Sequence, residues 1–113
     1  MISGLYEPAQ AELNPFLFAY YGDDPAGFAA QSALPGLLSS PVPMLFGVAE
    51  LDIPDFRRQA TILLDAMLAT HSVIPPFVVV ADHNHLSAIL SLGLDGPLRA
   101  SLSRFVHRVT NAR

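Results

Sequence analysis

The sequence contains no cysteine and no lysine. Without cysteine there is no disulfide framework and no thiolate metal site. All six basic residues are arginines, against ten acidic residues, for a net charge of −4. They form no basic stripe, which argues against a nucleic-acid surface. No uninterrupted apolar run reaches the roughly 18 residues of a membrane span. No basic segment followed by an apolar core opens the chain, so a secretory signal is not visible and a cytoplasmic location is expected.

What is present is a chain of 113 residues, room for one domain. It is 51% hydrophobic and 14% charged, too apolar for a disordered chain and too poor in charge for a coiled coil. The ten prolines concentrate in the first half and around Pro75-Pro76. Residues 1–40 read as an irregular, cap-like region. Met1 to Tyr6 is a strand end running into a turn. A helical or turn segment follows from Glu7-Pro8 to about Tyr21, interrupted at Asn14-Pro15, because a residue before proline avoids the helical region. Asp24-Pro25 pairs an N-cap with a first-turn proline and opens a short helix to about Ser32. Leu34 to Ser40 reads as loop.

Residues 41–113 are more regular. Val42 to Ala49 is a continuous apolar run, suited to a strand buried on both faces. From Pro54 to His71 the apolar residues Phe56, Ala60, Leu63, Leu64, Met67 and Leu68 recur with helical spacing, while Arg57, Arg58, Thr61 and Asp65 fall opposite. Phe77 to Ala81 is a second buried strand. Leu86 to Leu92 is a short helix, and Pro97 opens a last one with Leu98, Leu102, Phe105, Val106 and Val109 inward. Strand, helix, strand, helix predicts an α/β fold with a parallel crossover. Two or three strands cannot cover their own faces and edges, so an incomplete sheet with an exposed edge is expected.

In open α/β sheets the functional groups gather at the C-terminal ends of the strands. Glu50 to Gln59 follows the first strand and Asp82 to Ser87 follows the second. An acid from the first loop can meet a histidine from the second, fixing its tautomer and stabilising the imidazolium that forms when it takes a proton. Acid before histidine also fits the Ser…Asp/Glu…His order of α/β-hydrolases. Bland readings stand beside this one. Asp52 can cap the helix that begins near Pro54, Asp55 can complement that helix's dipole, and Glu50 is the fallback acid. His83 and His85 can be read as a metal pair, but no third ligand is recognisable by spacing. His71 and His107 look like surface residues. The aromatic group Phe16, Phe18, Tyr20, Tyr21 and Phe28 is either packing or an acyl-pocket wall.

The wording of three segments narrows the choice. Asp52-Ile-Pro-Asp-Phe-Arg-Arg-Gln59 resembles the D-x-P-E-F-x-R-Q stretch after the seventh strand in the kynurenine-formamidase-like and related carboxylesterase branch of the α/β-hydrolase family. His85-Leu86-Ser87 resembles that branch's catalytic-histidine context after the eighth strand. Ile2 to Pro8 resembles its SGLYDL-x-P segment after the sixth. The three are collinear and span nearly the whole chain.

The resemblance implies a partial α/β-hydrolase fold with the N-terminal half of the sheet outside this chain. It implies Asp52 as triad acid and His85 as triad base. The substrate would be a small ester or an aryl amide or formamide, and no cofactor is implied. No Gly-x-Ser-x-Gly nucleophile elbow and no His-Gly-Gly oxyanion loop occur in the sequence. The chain alone is therefore expected to be inactive. The alternative expectation is a non-catalytic remnant or interaction module that pairs through an open sheet edge.

Overall fold

The computed structural model describes residues 1–112. Over the described residues the fold is mixed α/β, with five α-helices and a two-stranded parallel sheet. Strand β1 (Phe46–Ala49) pairs with β2 (Phe77–Val80), joined by helix α3 (Pro54–His71). Ile2 makes a parallel bridge to Gly47, so the first residues line the other edge of β1. The parallel crossover expected from the strand–helix–strand pattern is present.

Alternation along the strands divides the core into two layers. Phe46 and Phe77 are register partners on one face. There Tyr6, Phe46, Leu63 and Met67 pack together under α3 and α2 (Leu34–Ser39). Ala49 and Val80 are partners on the other face. They pack with Ala88 of α4 (His85–Leu90) and Leu98 of α5 (Pro97–Asn111). Helices thus lie on both sides of the sheet.

Helix α3 has the bounds its sequence pattern predicts, but Leu68, expected on the inward face, is exposed. Ala60, Leu63 and Met67 are buried, and Arg57, Arg58, Thr61 and Asp65 face solvent. Pro54 starts it where no N–H is needed, and it closes on Ser72 in the left-handed region, whose N–H bonds the Leu68 carbonyl at 2.8 Å.

Elsewhere the structure corrects the pattern. Residues 34–40 are not loop, because Pro35 sits in the first turn of α2 and Leu34, Leu37 and Leu38 pack on the Tyr6–Leu63 cluster. The first strand begins at Phe46 rather than Val42, since Pro41 and Pro43 have no N–H for a ladder. The second strand ends at Val80, one residue short of the expected Ala81, and its Val79 is 55% exposed, so it is not buried on both faces. The segment after Pro8 is a 3₁₀ turn (Pro8–Gln10) and a separate helix α1 (Pro15–Tyr21), divided at Asn14, which caps α1. The segment after Asp24 is two 3₁₀ turns, Pro25–Gly27 and Ala29–Gln31, not one helix. The short helix after β2 starts at His85 and gives way at Ser91 to a further 3₁₀ turn, Ser91–Gly93. On α5 only Leu98 is buried, while Leu102 and Val106 are exposed, because nothing in the described residues covers that stretch of the helix.

Candidate active site

The loops at the C-terminal ends of β1 and β2 are stitched together. The Glu50 N–H donates to the Val80 carbonyl at 3.0 Å and the Leu51 N–H to the His83 carbonyl at 2.9 Å. Glu50 also turns its carboxylate across the gap, where Oε2 accepts the Asp82 N–H at 2.7 Å. Asp82 lies at φ 61°, in the left-handed region, where this bond holds the chain as it leaves β2.

Two residues later Asn84 caps α4. Its side chain accepts from the Leu86 and Ser87 N–H groups, and the Ser87 hydroxyl accepts the Asn84 N–H in return. The cap fixes His85 as the first residue of the helix. Its Nδ1 lies 3.1 Å from Oδ1 of Asp52, and the Asp52 side chain is fully buried while that of His85 is 47% exposed. The ring N–H at Nδ1 donates to the carboxylate, and Nε2 makes no hydrogen bond within the described residues. The phenyl ring of Phe56 stacks on the imidazole, with centroids 4.7 Å apart and planes 12° from parallel.

Asp52 does not cap α3. The residue at that position is Ile53, and no side chain bonds the first turn. Oδ2 of Asp52 instead accepts the Ser3 hydroxyl and the Ala49 N–H, the latter at 2.9 Å. A buried carboxylate is costly unless donors surround it, and here three donors do so.

Neither Glu50, the fallback acid, whose carboxylate is turned to the Asp82 N–H, nor Asp55 meets His85. Asp55 is buried in the first turn of α3, where Oδ2 accepts the Glu12 N–H at 3.2 Å and Oδ1 lies 3.6 Å from Nη2 of Arg58. The reading of Asp55 as a first-turn helix residue holds, with a tether to the N-terminal region added. His83 Nδ1 pairs with the Ser87 hydroxyl at 3.0 Å, so His83 and His85 are turned to different partners. Among the described residues no three His, Asp or Glu side chains are grouped as metal ligands. No described helix is long and apolar enough to cross a membrane. His71 and His107 are exposed, bonded to the Leu38 carbonyl and to the Asn111 side chain respectively.

The aromatic group divides in two. Phe28 is buried and packs against Phe18 and Tyr21. Phe16, Tyr20 and Tyr21 line an open groove of about 500 Å³ with Leu5, Ile53 and Phe56. Phe56 belongs to both the groove and the histidine stack, so the groove adjoins His85.

Sequence reasoning missed three supporting residues. Gln59 is fully buried. Its Oε1 accepts the Tyr6 and Glu7 N–H groups at 2.9 and 2.8 Å, and its Nε2 donates to the Glu7 carbonyl at 2.9 Å. Phe56 and Ser3 are the other two. Phe56 alone carried a usable signal, as an apolar residue in the first turn of the helix that follows Asp52.

The chain matches no known family model, and no curated protein is significantly similar to it. What bears on its function is the geometry of these residues and the wording of the segments that carry them.

Proposed function

We propose that this chain supplies the acid–histidine portion of a serine-hydrolase-type active site on the C-terminal part of an α/β-hydrolase sheet. In this reading Asp52 holds the tautomer and orientation of His85. Nε2 of His85 takes the proton of a serine hydroxyl as that oxygen attacks an ester or aryl amide carbonyl, and returns it to the leaving group. The nucleophile and the oxyanion donors lie outside these 113 residues. Among the described residues the only serine hydroxyl bonded to the pair is that of Ser3, and it meets the acid rather than the base.

The single observation that carries the reading is the 3.1 Å contact between a buried carboxylate and a half-exposed imidazole at adjacent strand ends. Supporting it, the three segments that resemble the carboxylesterase and formamidase branch converge on one place. Ser3 and Asp52 share a hydrogen bond, and Gln59 binds Tyr6 and Glu7.

The test has two parts. The purified 113-residue chain is expected to give no burst with p-nitrophenyl acetate. A longer in-frame product that encodes a Gly-x-Ser-x-Gly elbow is expected to hydrolyse the ester and to lose that activity with His85→Ala. A burst from the short chain that disappears with His85→Ala would place the nucleophile within it. Unchanged hydrolysis by the longer His85→Ala variant would remove the proposal.

A second reading is favoured by Val79 on β2 and by Leu86, Leu90 and Leu94 beyond it, all more than half exposed. In this reading the chain associates through that apolar edge. A defined oligomer in sedimentation, dissociated by Val79→Lys, is the expected result.

A further inference from the structure

We propose that Ser3 is a positioning residue for the Asp52–His85 pair: its hydroxyl clamps one carboxylate oxygen so that the other is offered to the imidazole. The inference rests on the acid–histidine reading above and extends it to the residue that sets the geometry of the acid.

The sequence places Ser3 49 positions from Asp52, yet the sheet brings the two together. The Ser3 N–H donates to the Gly47 carbonyl at 2.8 Å, and the Gly47 N–H donates to the Met1 carbonyl at 2.9 Å. These bonds fix the backbone of residues 1–3 against β1, one strand from the site. Both Ser3 and Asp52 are buried, at 7% and 3% exposure, so water does not compete for the contact.

The carboxylate is held asymmetrically. Oδ2 takes the Ser3 hydroxyl and the Ala49 N–H, while Oδ1 is left to His85. The torsion that turns an Asp carboxylate is broad and roughly two-fold, so the rotamer itself does not choose an orientation. The Ala49 N–H reaches Oδ2 from one direction. The Ser3 hydroxyl, arriving from another segment, reaches the same oxygen from a second direction, and the two together set the plane.

The backbone at Ser3 points the same way. Its φ is 52°, a left-handed conformation that glycine adopts without penalty and serine does not. A residue needed only to turn the chain here would be better served by glycine. Strain of this kind persists where the surroundings impose it and clusters at functional sites.

The test is solution NMR of the ¹⁵N-labelled 113-residue chain, reading the imidazole nitrogens of His85. The wild type is expected to show one neutral tautomer, protonated at Nδ1, with an observable Nδ1–H proton. Ser3→Gly removes the hydroxyl and relieves the backbone at the same time. It is expected to stay folded, yet to lose the Nδ1–H signal and show mixed tautomers. Ser3→Ala is expected to lose the same signal. If Ser3→Gly keeps the single tautomer, the hydroxyl does not position the acid and the proposal fails. If the wild type shows no Nδ1-protonated form and Asp52→Asn leaves its spectrum unchanged, the acid–histidine reading itself fails, a result distinct from the first.

Discussion

The imidazole of His85 and the carboxylate of Asp52 meet at 3.1 Å although 33 residues separate them in sequence. Each arrives from the C-terminal end of its own strand, and the strands are adjacent. Asp52 carries three donors at once, from Ser3, Ala49 and His85. Removing it takes the acceptor from all three, although the Ala49 N–H keeps the Ser3 hydroxyl oxygen at 3.4 Å and His85 keeps contact with water. Asp52→Ala is therefore expected to destabilise the chain by about 2–4 kcal/mol, since each buried unsatisfied group costs roughly 1–3 kcal/mol and the half-exposed histidine recovers part of its share. Urea unfolding measures this, and a loss below about 1 kcal/mol would contradict the role given to the carboxylate. On the proposed acid–histidine role, in a longer product that carries a nucleophile, Asp52→Asn keeps the shape but presents the wrong group to Nδ1. A fall in kcat of about 10⁴ is expected, the size seen when a triad acid elsewhere is changed in this way.

Gln59 joins the first turn of the chain to the middle of the fold. One side chain satisfies two backbone donors and one backbone acceptor, at Tyr6 and Glu7. Gln59→Leu fills the same space but leaves those three groups unpaired. A loss of about 2–4 kcal/mol is expected from the desolvation they would then suffer. Hydrogen exchange supplies the local readout. The Tyr6 and Glu7 amides should exchange faster in the variant, while amides in α3 keep their relative order of protection. If those two amides keep their wild-type protection, Gln59 is a packing residue and not a tether.

How much of this was legible in the residues differs from place to place. The extent of helix α3 was readable because its apolar spacing, its first-turn proline and its exposed arginines all agree, but its burial was not fully so: Leu68 is exposed, and Asp55 and Gln59 are buried. The acid–histidine pair was readable because strand ends in parallel sheets bring their loops together, a rule of topology and not of local propensity. Helix α2 was not readable. Pro35, Gly36 and two serines give the segment 34–40 the look of a loop, and it is helical because Leu34, Leu37 and Leu38 find the Tyr6–Leu63 cluster. The apolar stripe of α5 predicted more burial than exists, since periodicity shows which face is apolar and not whether anything covers it. Ser3 and Gln59 were invisible as partners of the site because their bonds cross 49 and more residues and follow from the fold alone.

At Gly47 a side chain would meet the Val78 carbonyl oxygen and the side chains of Ile2 and Val78. This glycine sits in β1 between Ile2 and Val78, and a β-carbon built there would lie 2.7 Å from the Val78 carbonyl oxygen and 2.8 Å from Cδ1 of Ile2. The carbonyl belongs to the parallel ladder and cannot move without breaking it. Gly47→Ala is therefore expected to destabilise the chain by about 1–3 kcal/mol, the usual cost of overpacking a close-packed site. The Ile2 contact can be relieved independently. Gly47→Ala combined with Ile2→Val should recover only a part of the loss, because the clash with the carbonyl remains. Full recovery in the double variant would show that the side chain, and not the ladder, sets the limit.

Tyr6 places a phenol in the core beside Phe46, with ring centroids 6.0 Å apart, and its hydroxyl makes no well-formed hydrogen bond. Burial raises its pKa above the ordinary value of 10.0, with the Gly4 backbone opposing the shift. The sign of the linkage follows. A raised folded-state pKa means that the folded chain holds its proton where the unfolded chain has begun to release it. The stability contributed is fully present below pH 10 and is lost as the pH rises from there through the folded-state value. Tyr6→Phe removes both the titration and the unsatisfied hydroxyl. It is expected to match or exceed wild-type stability at pH 7, by up to about 1 kcal/mol, because no hydrogen bond is lost. It is also expected to lose less stability than the wild type between pH 9 and pH 11. Equal alkaline losses in the two proteins would mean that Tyr6 is not the group that couples folding to high pH, and Tyr21, whose pKa is also raised by burial and by the neighbouring Tyr20, becomes the next residue to replace.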